Sequence, residues 1–250
     1  MLWFNLNNRF ISKKIKIKLS SVKWGVSPKM NVKLIGFTPN PEKIPAMAGM
    51  LTHSKSKPED LLEADDKKLN AVLKEVLKMG HTSVIEHASF TFAISDVSRS
   101  LTHQLVRHRI ASYAQQSQRY VDFKEPNYVT PPKIAKNKKM KKAYDDTMEN
   151  IWEEYNKLRE MGIPAEDSRF VLPNAACTNI IVTMNARSLL NFFELRTCQH
   201  AQWEIRKLAQ KMLSEVKKVA PVIFKKAGPA CKTKNYCPEN KKDCPLYPKK

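Results

Sequence analysis

Glycine is scarce in this chain. There are six in 250 residues, and none falls into a G-x-G-x-x-G pattern. That excludes the glycine-rich turn by which a doubly wound sheet cradles a dinucleotide pyrophosphate. No apolar run approaches the roughly 20 residues a bilayer demands, so the chain reads as soluble. There is no Cys-x2-Cys knuckle and no pair of histidines four apart, the usual zinc patterns. Residues 1–29 lack any Asp or Glu. The stretch is basic, as a transit peptide would be, but has no clean apolar centre for secretion. No internal repeat is visible.

What is present is positive charge. The net charge is +20, of which +7 lies in residues 1–29 and +6 in residues 225–250. Such a balance suits nucleic acid, anionic lipid or a phosphorylated small molecule. Because 13 of the 20 charges sit at the two ends, they read as solvated tails before they read as a sequence reader. The aromatic residues are not interleaved with the basic ones, as a base-stacking platform requires. The five cysteines are odd in number, and Cys177 and Cys198 fall inside regular segments. That points to a reducing compartment, hence the cytoplasm.

Three regions are expected: a basic leader, 1–29, outside the fold with Met30 as the natural start; a domain, 30–228; and a Cys/Lys-rich tail, 229–250. Within the domain, residues 31–37 read as a strand and Pro45–Leu51 as a helix. Leu69, Val72, Leu73, Val76 and Leu77 mark an amphipathic helix stopped by Gly80. Residues 88–96 alternate as a half-buried strand. Ser98 can cap a helix running to about Arg107. Residues 126–138 form a loop and 140–161 a long helix. Residues 177–185 form a β-branched strand, Asn185 caps a helix over 186–196, and a last helix spans about 199–219. The class is α+β, an antiparallel sheet packed with long helices.

The chemistry concentrates in "RHRIASYAQQSQRY", Arg107 to Tyr120. Cations suit a helix C-terminus, which accounts for one or two of Arg107, His108 and Arg109. It does not account for Arg119 or for the hydroxyls and amides between. Guanidinium forks bind phosphate bidentately, and Ser and Gln offer both donors and acceptors. That combination suits a phosphorylated ligand with an imide edge, such as a pyrimidine nucleotide; an ordinary basic surface is the alternative. A second cluster lies in 185–204: Arg187 and Asn191 share a helix face, and Arg196 and His200 fall at a junction of two helices. A third is "GHTSVIEH", 80–87, where His81, Glu86 and His87 have the wrong spacing for a zinc helix; Ser83 and the histidines face a ligand or cap a strand. No metal is expected there.

The pattern R-H-R, seven residues, then S, in Arg107, His108, Arg109 and Ser117, resembles the signature of the flavin-dependent thymidylate synthases, also called thymidylate synthase-complementing proteins. The likeness runs from about residue 32 to 220. It takes in GH-x-S-x-x-EH at 80–87, "RFVLP" at 169–173, "NARSL" at 185–189 and "HAQWEI" at 200–205. The resemblance implies an enzyme that methylates dUMP to dTMP. Methylenetetrahydrofolate would give the carbon, FAD would carry the hydride and NADPH would be the reductant. It implies a homotetramer with a non-Rossmann flavin site at subunit interfaces. Carried over by position, Ser83, Arg107, His108, Arg109, Gln115, Asn185, Arg187, Asn191 and His200 would surround the flavin. Gln104, Arg107, Gln115, Gln116, Ser117, Gln118, Arg119, Arg169 and Arg196 would surround dUMP. Gln115 stands where some members have Glu.

The catalytic residues implied are Arg196 and Ser117. A cation at the imide edge stabilises negative charge spreading onto the ring oxygens, and Arg196 matches that role. Ser117 has no adjacent base, so it reads as a hydrogen-bond donor and not a nucleophile. The tail cysteines, Cys231, Cys237 and Cys244, have five and six residues between them, wider than a zinc knuckle and with no obvious fourth ligand, so the tail reads as a plain thiol-bearing one, with a metal site or a redox thiol as the alternatives. The competing reading of the whole is a basic nucleic-acid-binding protein without enzymatic activity.

Overall fold

A computed structural model describes residues 28–248. The basic leader, apart from Pro28 and Lys29, lies outside the described residues. Strands β1 (Asn31–Phe37), β2 (Ser89–Ser98), β3 (Ser112–Gln115) and β4 (Cys177–Asn185) form one antiparallel sheet in the order β1-β2-β4-β3. The helices are α1 (Lys43–Leu51), α2 (Asp66–Lys78), α3 (Arg99–Leu105), one-turn α4 (Pro132–Ala135), long α5 (Lys138–Glu160), one-turn α6 (Ala165–Ser168), α7 (Ala186–Arg196), α8 (Trp203–Val219), and one-turn α9 (Pro221–Phe224) and α10 (Ala230–Thr233).

Strict alternation explains the sheet. Phe90, Phe92 and Ile94 of β2 and Ile180, Val182 and Met184 of β4 are buried on one face. Thr91 and Thr183, on the opposite face, hydrogen-bond each other at 3.0 Å. α8 lies over β1 and β2 and adds Ile205, Leu208, Ala209, Met212 and Val216 to the same core. Each large side chain so buried contributes roughly 1.5–3 kcal/mol. A second cluster, Tyr128, Met148, Trp152 and Ala176, seats α5.

The helix ends follow the expected chemistry. Asp65, Ser98, Asn137, Asn185 and Gln202 each accept a backbone N–H at a helix start, worth about 1 kcal/mol apiece. Gly80 takes φ +79 after α2, where Gly80 N–H reaches the Leu77 carbonyl and His81 N–H the Val76 carbonyl. That left-handed stop suits glycine.

Two expectations need correction, and one element was not anticipated. α3 ends at Leu105, not near Arg107, so Arg107–Arg109 lie on a loop beyond it. The last long helix, α8, starts at Trp203, not 199, because the Gln202 side chain caps it, and the one-turn helices α9 and α10 follow it. Residues 112–115, in the middle of the polar stretch, form the edge strand β3.

Candidate functional site

Ser98 sets the position of the polar loop. Its hydroxyl accepts the Leu101 N–H and donates to Glu204 Oε2 at 2.5 Å, while its backbone N–H donates to Glu204 Oε1 at 2.8 Å. Glu204 is buried, and desolvation raises its pKa against those two hydrogen bonds. α8 therefore grips the start of α3. At the other end, the Tyr113 hydroxyl lies within donating distance of the His108 carbonyl (2.7 Å) and the Leu105 carbonyl (2.9 Å). Pairing of β3 with β4 fixes Tyr113 in turn. The loop 106–111 is clasped at both ends, and Arg107 and Arg109 are left exposed.

Three groups of the expected residues emerge. In the first, Arg196, at the end of α7, donates Nε–H to Nε2 of His108 at 3.0 Å. His108 stands edge-on to Phe192, centroids 4.9 Å apart. Burial, and then the Arg196 charge, hold the imidazole down at about 4. Nε2 is therefore the bare acceptor and the proton sits on Nδ1. Burial, and then Arg107 nearby, lower Arg196 from its ordinary value. The guanidinium keeps four N–H donors beyond the one given to His108.

In the second, Arg119 pairs with Glu166 (Nε–Oε2 3.0 Å, Nη2–Oε2 2.9 Å) and lies over the Tyr120 ring. Arg169 donates to the Glu166 carbonyl, and burial followed by the Arg169 charge lowers Arg99. Arg99 and Glu166 belong to this patch, and sequence reasoning passed over both. Ser117 Oγ accepts the Arg119 N–H at 3.1 Å and has no His or carboxylate partner among the described residues. The Gln116 side chain accepts from Asn179. Gln118 is buried, and no hydrogen bond holds its amide among the described residues. Gln115 is committed inward: its amide donates to the Thr102 and Thr178 hydroxyls at 3.3 and 3.2 Å, leaving its carbonyl oxygen.

The third group is separate in its partners. Arg187 pairs with Glu86, three residues beyond Ser83. The Asn185 side-chain oxygen, Oδ1, is used as the α7 cap, accepting the Ser188 N–H at 2.8 Å. Asn191 and His200 are exposed. Gln104 is half-buried.

The donor set fits a dinucleotide diphosphate held without a glycine-rich turn. Arg107 and Arg109 have no carboxylate partner among the described residues, and each is exposed. Among the described residues Arg187 is engaged only in its exposed pair with Glu86, of the kind worth about 0–1 kcal/mol. A phosphate oxygen accepting from these forks gains about 1.5–3 kcal/mol per charge-assisted bond. Among the described residues no three Cys, His, Asp or Glu side chains cluster closely enough to hold one metal ion.

Residues 33–222 match the family model of the thymidylate synthase complementing protein. The chain is 49% identical over 232 residues to the flavin-dependent thymidylate synthase of Clostridium tetani (strain Massachusetts / E88), covering 86% of this chain and 93% of that one. It is also 49% identical over 220 residues to that of Geobacter sulfurreducens (strain ATCC 51573 / DSM 12127 / PCA), covering 86% and 94%. In fold it is similar to the crystal structure of a UMP/dUMP methylase PolB from Streptomyces cacaoi bound with 5-Br dUMP, with TM-score 0.70, 23% identity, and 79% and 93% of the two chains covered.

Proposed function

The chain belongs to the flavin-dependent thymidylate synthases, the thymidylate synthase complementing proteins, and from that membership we propose how its residues divide the work. The protein is an enzyme that methylates dUMP to dTMP, and its cofactor is FAD. Methylenetetrahydrofolate is the carbon donor and NADPH the reductant in this reading. FAD, when bound, relays hydride from NADPH to the carbon newly joined to the pyrimidine ring. The nucleic-acid-binding alternative has no support from the family match.

The observation that carries the residue assignment is the contact of Arg196 with His108. A neutral imidazole takes one N–H and leaves the other four donors of the fork for a ligand. Those remaining donors face the uracil oxygens, where they stabilise the negative charge that makes the ring carbon nucleophilic. The guanidinium stays charged throughout the working range, so it acts by its field and not as a proton carrier. Arg119 and Arg169 hold the dUMP phosphate. The exposed Arg119–Glu166 pair is weak enough to yield to it. Gln104, Gln116, Gln118 and Ser117 supply donors and acceptors to the nucleotide, and Ser117 is no nucleophile because no base adjoins it. Arg107, Arg109, Arg187, Asn191, Ser83 and His200 hold the flavin, while His108 and Asn185 hold the elements that present them. Gln115 stabilises the α3–β4 contact with its amide and offers only its oxygen to a ligand.

The functional unit in this reading is a homotetramer in the cytoplasm. Its support is an exposed apolar residue beside three of the site cations: Ile110 after Arg109 is 74% exposed, Tyr120 after Arg119 73% and Phe170 after Arg169 82%. Apolar side chains so placed mark surfaces that another subunit covers. Among the described residues no helix is long and apolar enough to cross a membrane.

The visible spectrum of the purified protein tests the flavin site. The expected result is a yellow protein, or one that binds added FAD. A folded, colourless protein that no added FAD can reconstitute overturns the assignment.

A further inference from the structure

We propose that Cys198, Cys231, Cys237 and Cys244 are the ligands of a four-thiolate metal site that fastens the C-terminal tail to the α7–α8 junction. Read along the sequence, the three tail cysteines lack a fourth partner. The fold supplies it. Cys198 lies between α7 and α8, two residues past Arg196, and all four thiols line one cavity of about 290 Å³. All four are free and partly buried. Cys177, the fifth, is buried in β4 and lines no part of that cavity.

The tail itself needs such a fastening. From residue 229 to 248 only Pro229 and Ala230, at the very start of the tail, are buried. A segment with so little core is normally held by a disulfide or a metal. Yet it follows a defined course of turns. Asn235 and Asn240 take φ of 51° and 46°. Backbone N–H groups of Asn240, Cys244 and Tyr247 close onto the carbonyls of Cys237, Lys241 and Cys244. Cys237 and Cys244 are each followed by proline, which limits the backbone beside the thiol. Besides these turns, an exposed Lys234–Glu194 pair at 2.8 Å ties the tail to α7. Exposed pairs contribute roughly 0–1 kcal/mol, too little to order the segment.

Charge agrees. Four thiolates around a zinc ion, or around a four-iron cluster of charge +2, leave a net −2. Residues 225–250 carry eight lysines against two acids.

The thiols ring the cavity and do not meet at a point, since no three are close enough to grip one ion. The site therefore draws inward around a single zinc, with bonds of about 2.3 Å, or spans an iron–sulfur cluster. Both are thiophilic centres, and the experiment separates them. Arg196 and His200 line the same cavity. The metal site so holds the tail against the wall that carries the residue assigned to the substrate ring.

The test is elemental analysis, with an acid-labile sulfide assay, on the full chain purified without oxygen. Stoichiometric zinc without sulfide identifies the single ion, and iron with matching sulfide identifies the cluster; either supports the site. Cys198→Ser and Cys237→Ser should each lose most of the metal, whereas Cys177→Ser should keep it. Should a variant fail to fold, alkylation of the native chain decides: the four thiols should resist until a chelator is added. Metal-free native protein with all four thiols alkylated at once, disulfides among them, or full metal retention in Cys198→Ser overturns the proposal.

Discussion

The Nε–H of Arg196 is spent on Nε2 of His108, 3.0 Å away and 88 residues earlier in the chain. One residue belongs to the end of α7, the other to the loop after α3. The contact requires a neutral imidazole, and the buried, edge-on seat against Phe192 supplies one. A cation that would otherwise swing freely is thereby given one orientation.

Arg196→Lys should keep the fold and most of the flavin but lose turnover by about 10²–10³-fold. Removing one donor aimed at developing charge costs that much in comparable sites. Lysine keeps the charge but cannot hold His108 and span an imide edge together. The check is the rate of dTMP formation at saturating substrates; near-normal turnover removes Arg196 from its role.

Ser117→Ala should retain measurable activity. A single hydrogen bond to the nucleotide is worth about 0.5–1.5 kcal/mol net, so the loss is roughly two- to tenfold. Steady-state kinetics decide it. Abolished turnover with normal dUMP binding would make Ser117 a nucleophile after all.

His108 should make the protein sensitive to acid. Its folded pKa, about 4, lies below the ordinary 6.5. The unfolded chain therefore takes up the proton first as pH falls. The stability from the neutral imidazole is complete above about 6.5 and is lost as pH falls toward 4. In His108→Gln the amide oxygen can still accept from Arg196 but does not titrate. Melting temperature against pH, measured for both proteins, should fall less steeply between 6.5 and 4 in the variant. Parallel curves would contradict the assignment.

Glu204→Ala should lower stability by about 1–3 kcal/mol, because it strands the buried N–H of Ser98. Glu204→Gln should cost less, since its oxygen can still accept that N–H. Urea unfolding of the two variants gives the comparison, and equal losses would mean that packing alone matters at this position.

Much of the fold could be read from local pattern. The alternation in β2 and β4, the amphipathic face of α2 and the caps at Ser98 and Asn185 each follow from side chains close in sequence. β3 was hidden because Ser112–Gln115 is polar: the strand is an edge whose partner, β4, lies some seventy residues on. The motif gave the residues that belong near a ligand, but not their neighbours. Glu166 beside Arg119, Arg99 beside Arg169 and Glu204 beneath Ser98 are long-range pairings with no local signature. Cys198 likewise joins the tail thiols only once α7 and α8 turn it toward the tail.

The central claim is that this chain makes dTMP by reducing the transferred carbon with flavin-borne hydride. Purified protein, dUMP, methylenetetrahydrofolate and NADPH, assayed with and without FAD, test it most directly. The account predicts dTMP only when flavin is bound, one NADPH oxidised per dTMP, and the folate released as tetrahydrofolate because it gives up no hydride. Folded, flavin-loaded protein that yields no dTMP, or dTMP formed equally without flavin and NADPH, would contradict it.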